Sequence, residues 1–242
     1  MKKTKKLLSE HDLDTVNNCC SFSYNKKLKI LNTIESESYP YDDSFSILSQ
    51  LAQDKNAEIR NRVAQILANF HSLQSENILI KFLSDSDELI RANACDSLLF
   101  SSNYSIMERL KKVIKSDVTL VRGYAILTMS DIAINTHKVD EAVAFFQQIL
   151  QKEKSPWIQL CCYEGLYKLG IHSYYNKILE QINNRYYRNR CATLNSLKRL
   201  VTNRTKEKTR IVLENRLEVE KIRSVKINIK SFLSEMSSSE ST

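Results

Sequence analysis

Glycine and proline are nearly missing from this chain. Its 242 residues hold three glycines (Gly123, Gly165, Gly170) and two prolines (Pro40, Pro156). A β-sandwich or barrel turns too often to be built with so few residues suited to tight turns, so the scarcity points to helices. Long apolar runs are missing as well: no stretch approaches the roughly 18 uncharged apolar residues of a membrane span. The opening Met1-Lys2-Lys3-Thr4-Lys5-Lys6-Leu7-Leu8 has the basic start of a signal peptide, but Ser9-Glu10-His11-Asp12 breaks it short of a signal core. None of the six cysteines (Cys19, Cys20, Cys95, Cys161, Cys162, Cys191) belongs to a Cys-x-x-Cys pair. No disulfide framework is expected, and the location expected is a reducing cytoplasm.

Signatures of chemistry are also lacking. His11, His71, His137 and His172 are scattered without i, i+4 pairing, so no metal site is expected. There is no Gly-rich phosphate loop and no Gly-x-Ser-x-Gly turn, so no cofactor and no catalytic residue are assigned. The adjacent pairs Cys19-Cys20 and Cys161-Cys162 cannot turn both thiols to one helix face and are expected as small buried residues.

What is present is a repeat. Asp54-Lys55-Asn56-Ala57-Glu58-Ile59-Arg60, Asp85-Ser86-Asp87-Glu88-Leu89-Ile90-Arg91 and Ser116-Asp117-Val118-Thr119-Leu120-Val121-Arg122 each precede a small pair and an apolar run. The arginines recur every 31 residues, a period that marks stacked supersecondary units, none able to bury its apolar face alone. Each unit reads as two helices. In the first, Phe45, Ile47, Leu48, Leu51 and Ala52 form one stripe and Ile59, Val63, Ile66, Leu67 and Phe70 the other. A fourth unit opens its second helix with Ser155-Pro156-Trp157, an N-cap followed by proline at the first helical position, with Gln159 in the arginine's place. In a fifth, Arg188 is assigned to that place. A degenerate sixth spans Ile211 to Phe232. The expected division is an N-terminal helical cap at 1–41, with a polar connector from Glu35 to Asp43, a repeat solenoid at 42–236, and a disordered tail at 237–242.

A turn aspartate, an aliphatic-Arg step six residues later and a small pair make these units resemble HEAT repeats, closest to the short bacterial HEAT-like type. The resemblance implies an all-α, right-handed α-solenoid of five to six helix pairs. It also implies a structural ladder of Asp54, Asp85 and Asp117 with Arg60, Arg91 and Arg122, and a concave surface lined by the second helices. It implies no activity, since function sits in the site and not in the fold. Asn61, Arg62, Gln65, Asn93, Asp96, Tyr124 and Thr193 are the residues expected on that concave row. DNA glycosylases built on HEAT-like repeats are the one enzyme precedent that fits. For that chemistry Asp96, Asp131 and Glu164 are candidate inward acids, without the aromatic cluster such a site needs.

Charge is unevenly spread. Residues 41–100 carry five Lys or Arg against nine Asp or Glu, a net of −4, and residues 156–242 carry sixteen against eight, a net of +8. Arg185, Arg188, Arg190, Lys198, Arg199, Arg204, Lys206, Lys208 and Arg210 face one acid, Glu207, with Tyr186 among them. Such a strip suits an acidic protein or a phosphate backbone. The function expected is a non-catalytic adaptor that docks a protein partner on a charge-polarised surface. The alternative is a nucleic-acid-binding protein, of DNA-repair type, using the basic repeats.

Overall fold

The computed structural model describes residues 18–36 and 41–238. Among them lie thirteen α-helices and no β-strand. A short 3-10 turn, Cys19–Ser21, precedes α1 (Tyr24–Glu35). Helices then follow in pairs: α2 (Tyr41–Leu51) and α3 (Ala57–Leu67), α4 (Leu73–Phe82) and α5 (Glu88–Ser97), α6 (Ser105–Ser116) and α7 (Thr119–Asn135). The series continues with α8 (Val139–Leu150) and α9 (Pro156–Lys168), α10 (Tyr174–Glu180) and α11 (Tyr187–Leu200), α12 (Asn203–Val219) and α13 (Arg223–Ser238). The chain divides into two compact units, Met1–Thr128 and Met129–Thr242.

In the first unit the turn aspartate organises each pair. Asp54 accepts the Asn56 N–H at 2.8 Å and Asp85 accepts the Asp87 N–H at 2.9 Å, closing the turns. Asn56 and Asp87 then cap α3 and α5. The arginine six residues on reaches two ways. Arg60 donates to the Asp54 carbonyl at 2.9 Å and holds the Asp85 carboxylate through Nε and Nη2, both at 2.8 Å. Arg91 repeats this on the Asp85 carbonyl and on Asp117, all three bonds at 2.8 Å. The ladder has a first rung that the repeat pattern did not show: Lys27 on α1 takes Asp54 at 2.6 Å. Arg122 donates to the Ile114 carbonyl at 2.7 Å.

Small residues let the second helices lie close. α1 packs on α3 and α3 on α5, across the buried Ala64, Ala94 and Cys95. Hydroxyls tie this row together, Ser97 donating to the Ala64 carbonyl at 3.0 Å and Thr128 to that of Cys95 at 2.7 Å. Burial raises the Cys95 thiol far above its ordinary range, so it packs as a small apolar group.

In the second unit Ser155 caps α9 with Pro156 at the first position, as the sequence implies. α9 ends at Gly170, whose φ of +97° lets the Ile171 N–H reach back to the Leu166 carbonyl at 3.0 Å. Gly165 is needed for space: a Cβ there would stand 2.9 Å from Cε2 of the fully buried Phe146. One apolar cluster joins α9 to α13 through Leu160, Tyr175, Ile178, Leu194, Leu197, Leu213, Ile229 and Phe232. Gln159 keeps the inner half of the arginine's role, donating to the Glu153 carbonyl at 2.8 Å.

The fifth pair corrects the register. Arg190, not Arg188, occupies the ladder place: it donates to the Asn184 carbonyl at 2.8 Å and grips Glu220 at 2.7 and 2.8 Å. Arg216 adds bonds to the same carboxylate at 2.8 and 3.0 Å. The N–H groups of Lys221 and Ile222 donate to it at 3.0 and 2.9 Å. The reason is a displaced turn: the polar residue at its start is Asn184, which accepts the Tyr186 N–H at 3.0 Å as an aspartate would.

Other boundaries also shift. The expected connector ends earlier, because Asp42 and Asp43 form the first turn of α2, where carboxylates favour the helix dipole. Ser237 and Ser238 belong to α13, and Ser237 donates to the Leu233 carbonyl at 3.0 Å. The rest of the expected tail (239–242), the basic start at 1–8 and the rest of the expected cap up to residue 17, with 37–40 of the connector, lie outside the described residues.

Three stability measurements follow from this packing. Arg91→Ala should lower unfolding free energy by about 2 kcal/mol in urea titration, below the 3–5 of a fully buried pair because the rung is partly wet. Gly165→Ala should cost about 1–3 kcal/mol by overpacking Phe146. For Glu220, burial pulls the carboxyl upward, but the Arg190, Ile222 N–H and Arg216 bonds outweigh it and bring it to about 2, against an ordinary 4.5. A depressed carboxyl contributes stability that is complete above the unfolded value and lost as pH falls through the folded one. The expected loss is about 3 kcal/mol between about pH 5 and pH 2, absent in an Arg190→Met/Glu220→Leu double variant.

Candidate functional site

The basic strip of the sequence does not form one surface. Arg185, Tyr186 and Arg188 stand at the start of α11, whereas Lys198 and Arg199 sit in its last turn and Arg204, Lys206, Lys208 and Arg210 on α12. A 14-residue helix rises about 20 Å, so α11 holds the two groups well apart. The far group is also largely engaged. Lys198 pairs with Glu235 at 2.7 Å, Arg210 with Glu207 at 2.6 Å, and Lys208 bonds Asn176 at 2.5 Å. Arg199 forks onto the buried Glu164 at 2.9 Å while about half of its side chain stays exposed. Arg204 lines a separate cleft with Tyr167, His172 and Tyr175.

Two expected site residues are buried instead. Arg190 is 5% exposed because it is a ladder rung, and Thr193 is fully buried, its hydroxyl donating to the Asn189 carbonyl at 2.8 Å. Neither presents a side chain to a partner. The cause is the register: both lie on the buried side of α11, where Arg190 reaches the Glu220 carboxylate.

The near group forms a groove of about 730 Å³ where the turn before α11 meets the turn before α13. Its base is the buried Arg190–Glu220–Arg216 cluster. Its walls add Arg185, Arg188 and Lys221, giving five cations against one carboxylate, a net of +4. Aromatic rings stand beside the two outer arginines: Arg185 lies 4.5 Å over the Tyr186 ring, and Tyr187 adjoins Arg188 in the first turn of α11. Apolar surface is interleaved, with Tyr186, Tyr187, Val219 and Ile222 exposed by 49, 44, 63 and 39%. The first turn of α11 carries no acid, so Arg188 stands against the positive end of the helix dipole. α3 and α5 instead carry Glu58 and Glu88 in that turn.

Sequence reasoning missed Arg216, Val219, Lys221 and Ile222. One signal could have found them: Glu220 followed two residues later by Ile222 repeats the Asp54–Asn56 and Asp85–Asp87 turn spacing, hidden by the longer α12. Tyr187, beside the Tyr186 of the basic strip, is also a groove residue.

The expected concave row is partly tied up within the first unit. Asn93 bonds Asn61 at 2.6 Å, and Arg62 bonds Gln65 at 3.3 Å and pairs with Glu35 of α1. Asp96 is exposed on α5 and Tyr124 half-buried on α7. The candidate catalytic acids are not set up for chemistry in a cleft. Glu164 is 3% exposed and held by Ser196 at 2.5 Å and by Arg199, and Asp131 pairs with Lys168. Among the described residues no group of three His, Cys, Asp or Glu could hold a metal ion, and no helix is long and apolar enough to cross a membrane.

Residues 45–130 match the family model for HEAT repeats. No curated protein matches the chain. Among solved structures, the chain is similar to the complex of CpcE and CpcF of phycocyanin lyase from Nostoc sp. PCC7120. The two share 14% identity with a TM-score of 0.63, over 98% of this chain and 97% of that one. At that identity the likeness shows the fold and no more. With the 31-residue period, the arginine–aspartate rungs and the stacked helix pairs, these matches show HEAT repeats over residues 45–130 within an all-α solenoid fold.

Proposed function

We propose that this protein is a binding module that docks a protein partner on the cationic surface of its second unit. The carrying observation is the groove before α11 and α13, where exposed arginines and exposed apolar side chains stand together on a rigid, ladder-held base. Arginine and tyrosine are the side chains that most often anchor protein interfaces. The Nostoc structure holds two subunits in complex, and association of this chain with another protein follows the same pattern. The module works by binding, without cofactor or metal, and its place is the cytoplasm. Its proposed parts are the helical cap through residue 41 and the repeats after it.

Two experiments test the reading. Affinity-tagged protein expressed in its native host and treated with nuclease should retain a stoichiometric protein partner. Charge reversal to Glu at Arg185, Arg188, Arg204, Lys206 and Lys208 together should release that partner while the circular dichroism spectrum stays helical. In parallel, anisotropy of labelled DNA and RNA, single- and double-stranded, should show no binding that falls steeply with salt. A steep negative slope that flattens in the variant would replace the protein-docking reading with the nucleic-acid one.

A further inference from the structure

We infer that the groove between the turns preceding α11 and α13 receives an acidic chain segment of a partner protein, with carboxylates flanking an apolar residue; this rests on the docking reading above. The charge argument comes first. Arg185 and Arg188 project from one side and Lys221 from the other, while the single carboxylate of the groove, Glu220, is 2% exposed and already neutralised by two arginines. The field met by an incoming group is therefore positive on both walls. Guanidinium forks fit carboxylates in bidentate fashion, which sets direction as well as affinity.

The apolar surface decides the class of partner. Val219 and Ile222 are aliphatic and exposed by 63 and 39%. Unlike Tyr186 and Tyr187, neither offers a flat face to a nucleic-acid base, and a phosphate backbone would leave both aliphatic groups wet. An aliphatic or aromatic side chain would cover them, at about 25 cal/mol for each Å² of apolar surface removed from water. Glu214 and Glu218, exposed on α12 just before Val219, would repel a long polyanion that ran on past the groove. A short segment with its charges at the walls and an apolar residue at the centre satisfies all these groups at once.

The base is built not to move. Arg190 and Arg216 fix Glu220, and Glu220 in turn holds the Lys221 and Ile222 N–H groups, so the wall that carries Lys221 and Ile222 is tied to the ladder. Preorganisation of this kind lowers the ordering cost of binding.

The probe is a fluorescein-labelled peptide of about eight residues in which two Asp-Glu pairs flank a Leu-Phe core, followed by anisotropy against the full chain. A copy with Gln and Asn in place of the acids and a labelled oligodeoxythymidine of similar length serve as comparisons. The expected result is saturable binding that weakens at least tenfold in Arg185→Glu/Arg188→Glu and at least tenfold for the neutral peptide. Binding should be unchanged in Lys152→Glu/Lys154→Glu, two exposed residues of the turn before α9 that do not line the groove. Ile222→Ser, which leaves every charge in place, should weaken binding several-fold. Equal binding of the neutral peptide, indifference to the Arg185/Arg188 reversal, or preference for the oligonucleotide would each overturn the inference. Sedimentation of the free protein adds the remaining case: a concentration-dependent dimer abolished by the same reversal would assign the groove to a second copy and overturn a foreign segment. If the partner of the tagged protein survives the Arg185→Glu/Arg188→Glu change but is lost on reversal of Arg204, Lys206 and Lys208, the groove inference falls and the docking reading stands.

Discussion

One interaction sets the geometry of the stacked turns: a guanidinium that bonds the carbonyl at the start of its own turn and the carboxylate at the start of the next. Arg60, Arg91 and Arg190 all make it. The planar fork matters, because the two bonds to the next carboxylate fix orientation as well as distance. Lys27 opens the series with a single bond to Asp54, and Gln159 keeps the inner bond alone. Each acid is also used by its own turn, so a rung couples capping, turn shape and inter-repeat spacing. For Asp85 the Arg60 bond holds the carboxyl below its ordinary range against the opposing effect of burial.

The groove grows out of this ladder at its last described rung. Glu220 would be an unfavourable group to bury alone. Here it is bonded by two arginines and two N–H groups, and that lets the following residues, Lys221 and Ile222, stand at the surface in fixed positions. The neighbouring turn contributes Arg185, Tyr186 and Arg188, and the two arginines stand at the positive end of the α11 dipole with no acid in that turn. Local conflicts of this sort concentrate where a surface serves a partner. Of the more remote cations of the strip, Lys198, Arg199, Arg210 and Lys208 are engaged with Glu235, Glu164, Glu207 and Asn176, which makes these four parts of the scaffold first.

Sequence alone carried the architecture. The arginine spacing of 31, the turn acids and the Ser155-Pro156 start are local patterns whose physical consequence is local, and the structure bears out the helix pairs and the Arg60–Asp85 and Arg91–Asp117 rungs. Register failed where the local pattern was degenerate. Arg188 and Arg190 lie two residues apart in a basic run, and only packing against α13 decides which one turns inward to Glu220. Thr193 was lost for the same reason, sharing the buried side of α11 with Arg190.

What the sequence by itself determined is the list of groups and their period: helical pairs, an acidic first part and a basic last third. Tertiary structure alone decided which charges remain available. A helix about 20 Å long separates residues that adjoin in the chain, and it splits the basic strip between its two ends. Conversely, Arg185 and Lys221 are far apart in sequence and share one groove, because each stands directly after the turn residue at which consecutive repeats are aligned.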